Sequence, residues 1–397
     1  MKEKGAMENA EKISGLLVNL IKARSYPGIP KQEAAVVAEL RSFLEDHHIQ
    51  TTVAEVKDGR PNLLATVDSG RPGRHLLLCG HTDTVPPNAG STVDFFAAVE
   101  KEGRLYGRGT ADMKGALAAM AGALVELAGQ KSLATGKVTV AAVIDEEMES
   151  LGAEALILSG FKADAAIVGE PTENRIAIGH KGLEWLAVEF IGRAAHGSTP
   201  EAGINAISAA AGFVRLIEEV LVPQFERRRD PVLGPPVINM GTISGGDQPS
   251  TVAAHCEIKL DRRWVTTETI EQVFADLEEL LAEVRKERPG LTTRISRVPG
   301  GMATMIHGPL KIDREHPLVT ASQKAFADLG LPAAQLAVFP AWTDGALLTR
   351  EANIPTIIWG PGELNTAHSP EENVRLADVH LAAKLYAKAT LNYTRIQ

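Results

Sequence analysis

The chain has 397 residues, 44% of them apolar and 23% charged, which is typical of a soluble globular protein with more than one domain. Its formal net charge of −9 argues against a nucleic-acid partner, because such a partner requires a basic face. Cys79 and Cys256 lie in separate apolar segments, so we expect no disulfide and a reducing, cytoplasmic location. We recognise no secretory signal and no apolar run long enough to cross a bilayer, so we expect no membrane partner.

The first 180 residues alternate between helical and strand patterns. Apolar residues recur at helical spacing over 9–24 and 31–47, and further helices are predicted near 113–128 and 151–159. Two of the predicted strands are almost wholly apolar, as are strands buried on both faces of a sheet. These patterns predict an α/β domain with a mixed, mainly parallel sheet. The strand segments are NLLATV, HLLLCG, VTVAAVID and AAIVGE.

The pattern changes after residue 180 to the order strand, helix, strand, strand, helix. This order is close to a split βαβ unit, a ferredoxin-like α+β domain with two helices on one face of an antiparallel sheet. The first pattern returns from about 315, so we predict a main domain of residues 1–180 and 300–397, interrupted by an inserted domain of residues 181–299. The elements predicted after residue 180 are strands at 183–192, 235–246, 255–264 and 356–360 and helices at 204–221, 269–287 and 376–391.

Residues that can bind metal or move protons follow the predicted strands, at the edge where open α/β sheets place their sites. Several carboxylates on one rim repel one another, and bound cations remove that repulsion. Two imidazoles with carboxylates and no thiolate are typical of zinc or a similar ion in a hydrolytic site, and two such ions can share one carboxylate. The candidates are His81 and Asp83 after HLLLCG, Asp112 before a helix predicted to begin at Met113, Glu146 and Glu147 after VTVAAVID, Glu170 after AAIVG, and His368 after TIIWG.

Each of these residues alone also has a purely structural explanation. His81 is compatible with a turn histidine, Asp112 with a helix cap, and Glu170 with a loop charge. The acidic run 145–147 is typical of a solvated helix cap. The metal site is favoured by the combination, because such residues rarely follow successive strands by chance.

As a set, the segments resemble the M20 metallopeptidase and deacylase family, which includes acetylornithine deacetylase, succinyl-diaminopimelate desuccinylase, aminoacylases and glutamate carboxypeptidases. The resemblance runs in order from about residue 76 to 375. It implies a zinc-peptidase-like catalytic domain and a homodimer formed through the inserted domain. The matching motifs are HTDTVP, GRGTADMKG, DEE, GEPT, AHGSTPEAGINAI and NTAHSPEEN.

This resemblance implies a role for each metal ligand. Asp112 would bridge two divalent ions, expected to be zinc, with cobalt or manganese as alternatives. His81 and Glu170 would complete the site of one ion, and His368 and Glu147 that of the other.

The resemblance also implies the groups that act beside the metal ions. Asp83 would orient His81 by accepting its second ring proton, and Glu146 would be the general base. Two adjacent glutamates on an extended segment face opposite ways, so one can bind metal while the other faces the substrate. The resemblance implies that Glu147 binds metal and Glu146 faces the substrate. His196 would reach the site of a partner subunit and stabilise the oxyanion, although alone it is more typical of a loop histidine.

Substrate recognition is implied less directly. Arg263 in LDRRW would bind a substrate carboxylate, or else form a surface salt bridge with Asp261 or a glutamate, and Arg262 would face the opposite side of its strand. Thr251 stands where many relatives have an asparagine that contacts substrate, which is a departure from the family pattern. Thr343 and Asp344 in WTDGALL resemble a loop that forms part of the substrate pocket.

The function implied is hydrolysis of an amide in an N-acyl amino acid or small peptide with a free carboxylate. A hydroxide between the two metal ions would attack, with Glu146 as the base. A di- or tripeptidase or a carboxypeptidase of the same family is the alternative within the enzymes. A catalytically inactive metal- or ligand-binding protein is the alternative of another class, and the intact ligand set with Glu146 argues against it.

Overall fold

A computed structural model describes residues 2–89, 94–129, 132–299 and 305–395. The chain forms two compact units. Unit 1 comprises Met1–Gly179, Lys311–Phe339 and Thr343–Gln397, and unit 2 comprises His180–Leu310 and Pro340–Trp342. The boundary predicted between residues 299 and 300 borders 300–304, which lie outside the described ranges.

The helices and strands follow in chain order. Up to the end of the first segment of unit 1 they are α1 (Lys2–Lys22), α2 (Ala34–Asp46), β1 (Gln50–Lys57), β2 (Arg60–Asp68), β3 (His75–His81), β4 (Val99–Lys101), β5 (Arg104–Tyr106), α3 (Gly115–Gly129), β6 (Lys137–Val143), α4 (Leu151–Leu158), β7 (Ala165–Val168), β8 (Ile176–Ala177) and β9 (Gly179–His180). Then come β10 (Gly182–Ile191), α5 (Ala206–Leu216), β11 (Val237–Gly245), β12 (His255–Trp264), α6 (Ile270–Glu287), β13 (Thr292–Arg297) and β14 (Leu310–Lys311). The last are α7 (Pro317–Asp328), β15 (Leu336–Ala337), α8 (Gly345–Glu351), β16 (Thr356–Ile358), β17 (Asn373–Arg375) and α9 (Leu376–Tyr393).

The main sheet of unit 1 has the strand order β1-β2-β6-β3-β7-β16-β8-β15 within the described residues. Strands β6, β3, β7 and β16 run parallel to one another, whereas β2 is antiparallel to both β1 and β6 on one side of them and β8 is antiparallel to β16 on the other. Strand β3 is buried along its whole length because alternate residues pack on opposite faces: Leu76 and Leu78 in one apolar cluster, Leu77 and Cys79 in another. Because β6, β3, β7 and β16 run parallel to one another, their carboxyl ends lie along one edge of the sheet.

Unit 2 contains one antiparallel sheet with the strand order β11-β12-β10-β13. Helices α5 and α6 join these strands in the order β10, α5, β11, β12, α6, β13, which is the ferredoxin-like order with one more strand than the sequence pattern suggested. The buried face is apolar, with Leu186, Val188 and Phe190 of β10 against Phe213 of α5 and Leu277 of α6 in one cluster.

Three local predictions differ from the structure. Helix α3 begins at Gly115 rather than Met113, because Asp112 and Met113 have non-helical backbone angles in the kinked turn Thr110–Lys114. The helix predicted over 204–221 is a regular α-helix only to Leu216. Pro223 follows shortly after and has no main-chain N–H to donate to a carbonyl of the preceding turn. Strand β1 was not predicted because its side chains are mostly exposed and carry no apolar alternation.

Both cysteines are free and buried, in agreement with the absence of a predicted disulfide. In the described part of the chain, no helix is both long and apolar enough to cross a membrane.

The neighbouring arginines of β12 allow a test of this packing. Arg262 is 1% exposed and its guanidinium donates to Glu268, so Arg262→Met removes a partner from a buried carboxylate and should lower the free energy of unfolding by about 3 kcal/mol. Arg263 pairs with Asp261 where both side chains are partly exposed, so Arg263→Met should change it by less than about 1 kcal/mol. Urea denaturation of the two variants measures both changes in the free energy of unfolding. Equal losses in the two variants would contradict the conclusion that Arg262 forms the buried ion pair and Arg263 the partly exposed one.

Candidate metal centre

The carboxylate of Asp112 lies between two imidazoles. Its Oδ1 is 3.0 Å from Nε2 of His81, the last residue of β3, and its Oδ2 is 3.2 Å from Nε2 of His368. Each carboxylate oxygen therefore faces a different ring. The non-helical backbone of Asp112, with φ −125° and ψ 94°, is not that of a residue inside a helix, and the carboxylate is turned toward the two histidines.

Each imidazole also faces a glutamate. Oε1 of Glu147 is 3.0 Å from Nε2 of His368, and Oε1 of Glu170 is 3.9 Å from Nε2 of His81. Ligand atoms of His81, Asp112 and Glu147 all lie within 4.8 Å of one another. The structure thus brings together in unit 1 all five residues predicted as metal ligands.

The electrostatics of this cluster are dominated by buried acidic groups. Burial raises the pKa of Glu170 well above its usual range, and burial followed by the charge of Asp112 raises the pKa of Glu147. Hydrogen bonds with Asp112 and then Glu147 raise the pKa of His368 to about 10. Burial opposes a charge on His81, but its hydrogen bonds with Asp112 and Asp83 outweigh burial and raise its pKa.

These contacts fit a divalent cation. The two Nε2 atoms face carboxylate oxygens at 3.0 to 3.2 Å, and neutral imidazoles and carboxylates in this arrangement can direct their lone pairs at a metal ion. Oε1 of Glu170 is buried and has no hydrogen-bond partner among the described atoms, which suits a ligand atom. Imidazole and carboxylate donors without thiolate are compatible with zinc, cobalt or manganese.

Asp83 supports both sides of this cluster. Nδ1 of His81 is 3.0 Å from the main-chain oxygen of Asp83 and 3.5 Å from its carboxylate, so the closer acceptor is the main chain. The two carboxylate oxygens instead accept the main-chain N–H groups of Glu146 and Glu147, each at 3.1 Å. Among the described residues, the Glu146 carboxylate forms no hydrogen bond or ion pair, and burial raises its pKa well above the usual range.

The predicted substrate residues lie apart along the chain. His196 and Thr251 form an isolated antiparallel bridge in unit 2, so these two are brought together. Nε and Nη2 of Arg263 donate to the two carboxylate oxygens of Asp261 at 2.7 and 2.9 Å. This is a salt bridge of the kind expected as the alternative to substrate binding. Thr343 and Asp344 are both buried and directly precede helix α8 of unit 1.

Sequence reasoning missed residues that hold the ligand loops. Arg60 donates to both carboxylate oxygens of Glu33, at 2.8 and 2.6 Å, and also to Asp145, which has φ 72° directly before Glu146. Glu372 accepts the main-chain N–H of Asp112. Glu372 lies inside the motif NTAHSPEEN and could have been singled out there, whereas nothing near Arg60 in the sequence indicates its partners.

Solved structures with the same fold cover nearly the whole chain. Aminopeptidase PepT from Bacillus cereus ATCC 10987 aligns with a TM-score of 0.78 at 20% identity, over 97% of this chain and 98% of that chain. The YXEP protein of Bacillus subtilis, described as a dinuclear metal binding peptidase from the M20 family, aligns with a TM-score of 0.70 at 14% identity, over 96% and 98%. These likenesses confirm the predicted fold class.

Sequence comparison extends the agreement to the family. An acetylornithine deacetylase from Proteus mirabilis (strain HI4320) is 33% identical over 368 residues, which cover 90% of this chain and 90% of that relative. A model of the family described as Peptidase family M20/M25/M40 matches residues 77–392, well over half of the chain. The chain therefore belongs to peptidase family M20/M25/M40.

Proposed function

We propose that this protein hydrolyses the amide bond of an N-acyl amino acid or small peptide that carries a free carboxylate. The observation that carries the proposal is the position of Asp112, whose two oxygens face two different imidazoles, each with its own glutamate. This arrangement supports a centre with two cations that share one carboxylate.

The residues that would hold the ions are grouped by the contacts above. His81 and Glu170 would hold one divalent ion, His368 and Glu147 would hold the second, and Asp112 would contribute to both. We expect zinc, with cobalt or manganese as alternatives. When bound, such ions polarise a carbonyl oxygen and lower the pKa of a water molecule.

Glu146 is the proposed general base. Its carboxylate has no protein partner among the described residues, so it is free to accept a proton from water and to deliver it to the leaving nitrogen. Asp83 assists by holding the main chain of Glu146 at 3.1 Å.

The remaining roles come from the family resemblance and stay predictions. His196 would stabilise the oxyanion in the site of a partner subunit, with unit 2 as the dimer surface. Arg263 would bind the substrate carboxylate, for which it would have to exchange or share its present partner Asp261. Thr251, Thr343 and Asp344 are proposed to border the substrate. A cytoplasmic location is likewise a prediction from the sequence.

The relatives favour a deacylase over a peptidase without deciding the substrate. The relative from Proteus mirabilis is named for acetylornithine and is 33% identical, whereas the aligned aminopeptidase is 20% identical and supports the fold alone. We therefore place N-acyl amino acids first. Di- or tripeptidase and carboxypeptidase activities are the alternatives, and an inactive metal- or ligand-binding protein is the alternative of another class.

Glu146→Ala tests the proton transfer. The variant should retain bound metal, since Glu146 is outside the proposed ligand set, and should lose about 10²- to 10⁴-fold in kcat. Metal content measured by mass spectrometry and turnover on an N-acetyl amino acid are the two readouts. Glu149→Ala, the same exchange three residues along the loop, is the matched control and should retain turnover. Near wild-type turnover in Glu146→Ala would remove Glu146 from the mechanism.

Metal removal tests the centre itself. Dialysis against a chelator should abolish hydrolysis, and added Zn²⁺ or Co²⁺ should restore it, because nitrogen and carboxylate donors bind these ions well. Activity and metal content are both measured while Zn²⁺ or Co²⁺ is added stepwise to the metal-free protein. Full activity in protein shown to be free of metal would overturn the proposal.

A substrate panel tests the chemical class. Zinc-loaded protein is assayed with N-acetyl amino acids, including N-acetylornithine, with dipeptides such as Gly-Leu, and with matched substrates whose carboxylate is replaced by an amide. We expect N-acyl amino acids to be cleaved, with kcat/KM about tenfold to a hundredfold lower when the carboxylate is absent, since one charged hydrogen-bonding group is lost. Preferential cleavage of dipeptides would instead establish the peptidase alternative, and no cleavage with metal bound would favour the inactive binder.

A further inference from the structure

A buried carboxylate outside the proposed ligand set holds the main chain of the bridging aspartate. Glu372 is 2% exposed, and its Oε1 accepts three main-chain N–H groups, from Gly109 at 2.9 Å, Ala111 at 3.1 Å and Asp112 at 3.2 Å. The other oxygen, Oε2, accepts from the guanidinium of Arg108. Both oxygens of this carboxylate are therefore used, although Glu372 is 260 residues away from Asp112 along the chain.

The local backbone explains why an outside acceptor is needed. Gly109 has φ 84°, and the turn Thr110–Lys114 contains non-helical angles at Asp112 and Met113. Main-chain N–H groups in such a turn have no regular helical acceptor, and leaving them buried without a partner is costly. Glu372 satisfies three of them with one oxygen, as a cap residue does at the start of a helix, but from a distant segment.

The same network reaches the second histidine. Arg108 is 1% exposed, and its Nη2 donates to Oδ1 of Asn88 at 2.8 Å. Nδ2 of Asn88 donates to the main-chain oxygen of His368 at 3.1 Å. Arg108 also lies over the ring of Phe95, 5.1 Å from its centroid, which limits the movement of the guanidinium. One end of the network thus holds Asp112 and the other holds His368.

We propose that Glu372, Arg108 and Asn88 form a clamp that sets the separation of Asp112 and His368 before metal binds. The clamp residues are positioning residues: Glu372 and Asn88 contact the main chain of Asp112 and His368, and Arg108 joins Glu372 to Asn88. The proposal rests on the metal centre of the proposed function and goes beyond it. Without the clamp, binding energy of the metal would have to order these loops, and affinity for the metal would fall.

Glu372→Gln is the direct test. The amide oxygen can still accept the main-chain N–H groups, but the amide nitrogen then faces the guanidinium of Arg108, donor against donor. Zinc titration against a competing chelator should show affinity lower by about tenfold to a hundredfold, the usual effect of losing a residue that orients metal ligands. Circular dichroism of the metal-free proteins confirms that the variant folds.

Glu268→Gln is the matched control in unit 2. Glu268 is also buried, accepts from Arg262 and Arg228, and accepts the main-chain N–H of Val265. The control should lower the thermal unfolding temperature and leave zinc affinity unchanged. Asn88→Ala is the second clamp variant, and because Asn88 is exposed it should fold and show a smaller loss of zinc affinity in the same direction.

The outcomes separate this inference from the proposed function. Wild-type protein that binds none of Zn²⁺, Co²⁺ and Mn²⁺ overturns both. If wild type binds zinc and both Glu372→Gln and Asn88→Ala bind it as tightly as wild type, the clamp alone is overturned. The clamp is also overturned if the control Glu268→Gln loses as much zinc affinity as Glu372→Gln. If Glu372→Gln does not fold, the zinc affinity of Asn88→Ala decides the question.

Discussion

The shared carboxylate of Asp112 is the interaction on which the rest of the candidate centre depends. Burial alone would raise its pKa, but hydrogen bonds with His368 and His81 hold that pKa below the usual range. Its negative charge is then close to Glu147 and Glu170, whose own pKa values are raised. A group of buried carboxylates of this kind is stable only with compensating positive charge, which imidazolium or a divalent ion can provide.

Carboxylates also hold the loops on which these ligands lie. Asp83 accepts the main-chain N–H groups of Glu146 and Glu147, and Glu372 does the same for three residues of the Asp112 loop. In both cases the acceptor comes from another segment of the chain. Loops with irregular backbone need such acceptors because they have no internal ladder of hydrogen bonds. Irregular loops on a parallel sheet are thereby held in the positions that the chemistry requires.

Chemistry and recognition are distributed differently over the chain. The proposed ligands and Glu146 belong to unit 1, whereas His196, Thr251 and Arg263 belong to unit 2. In the described structure Arg263 is neutralised by Asp261, and Thr251 departs from the family pattern. The proposed metal ligands and the proposed base therefore belong to one unit, whereas the proposed oxyanion residue His196 belongs to the other. The substrate of the proposed hydrolysis depends on residues for which family membership alone is a weaker guide.

Local sequence patterns predicted the main elements of the fold and the candidate metal-binding residues, and the family resemblance implied the role of each candidate. Apolar runs such as HLLLCG predict a strand buried on both faces, and the residue types that follow predict a metal site at its carboxyl end. Only the tertiary structure decided that helix α3 begins at Gly115 after a kinked turn, that Arg263 contacts Asp261, and that Glu372 holds the Asp112 loop. The physical reason is that periodicity reports burial within a segment, whereas the path of an irregular turn is set by hydrogen bonds from residues up to 263 positions away.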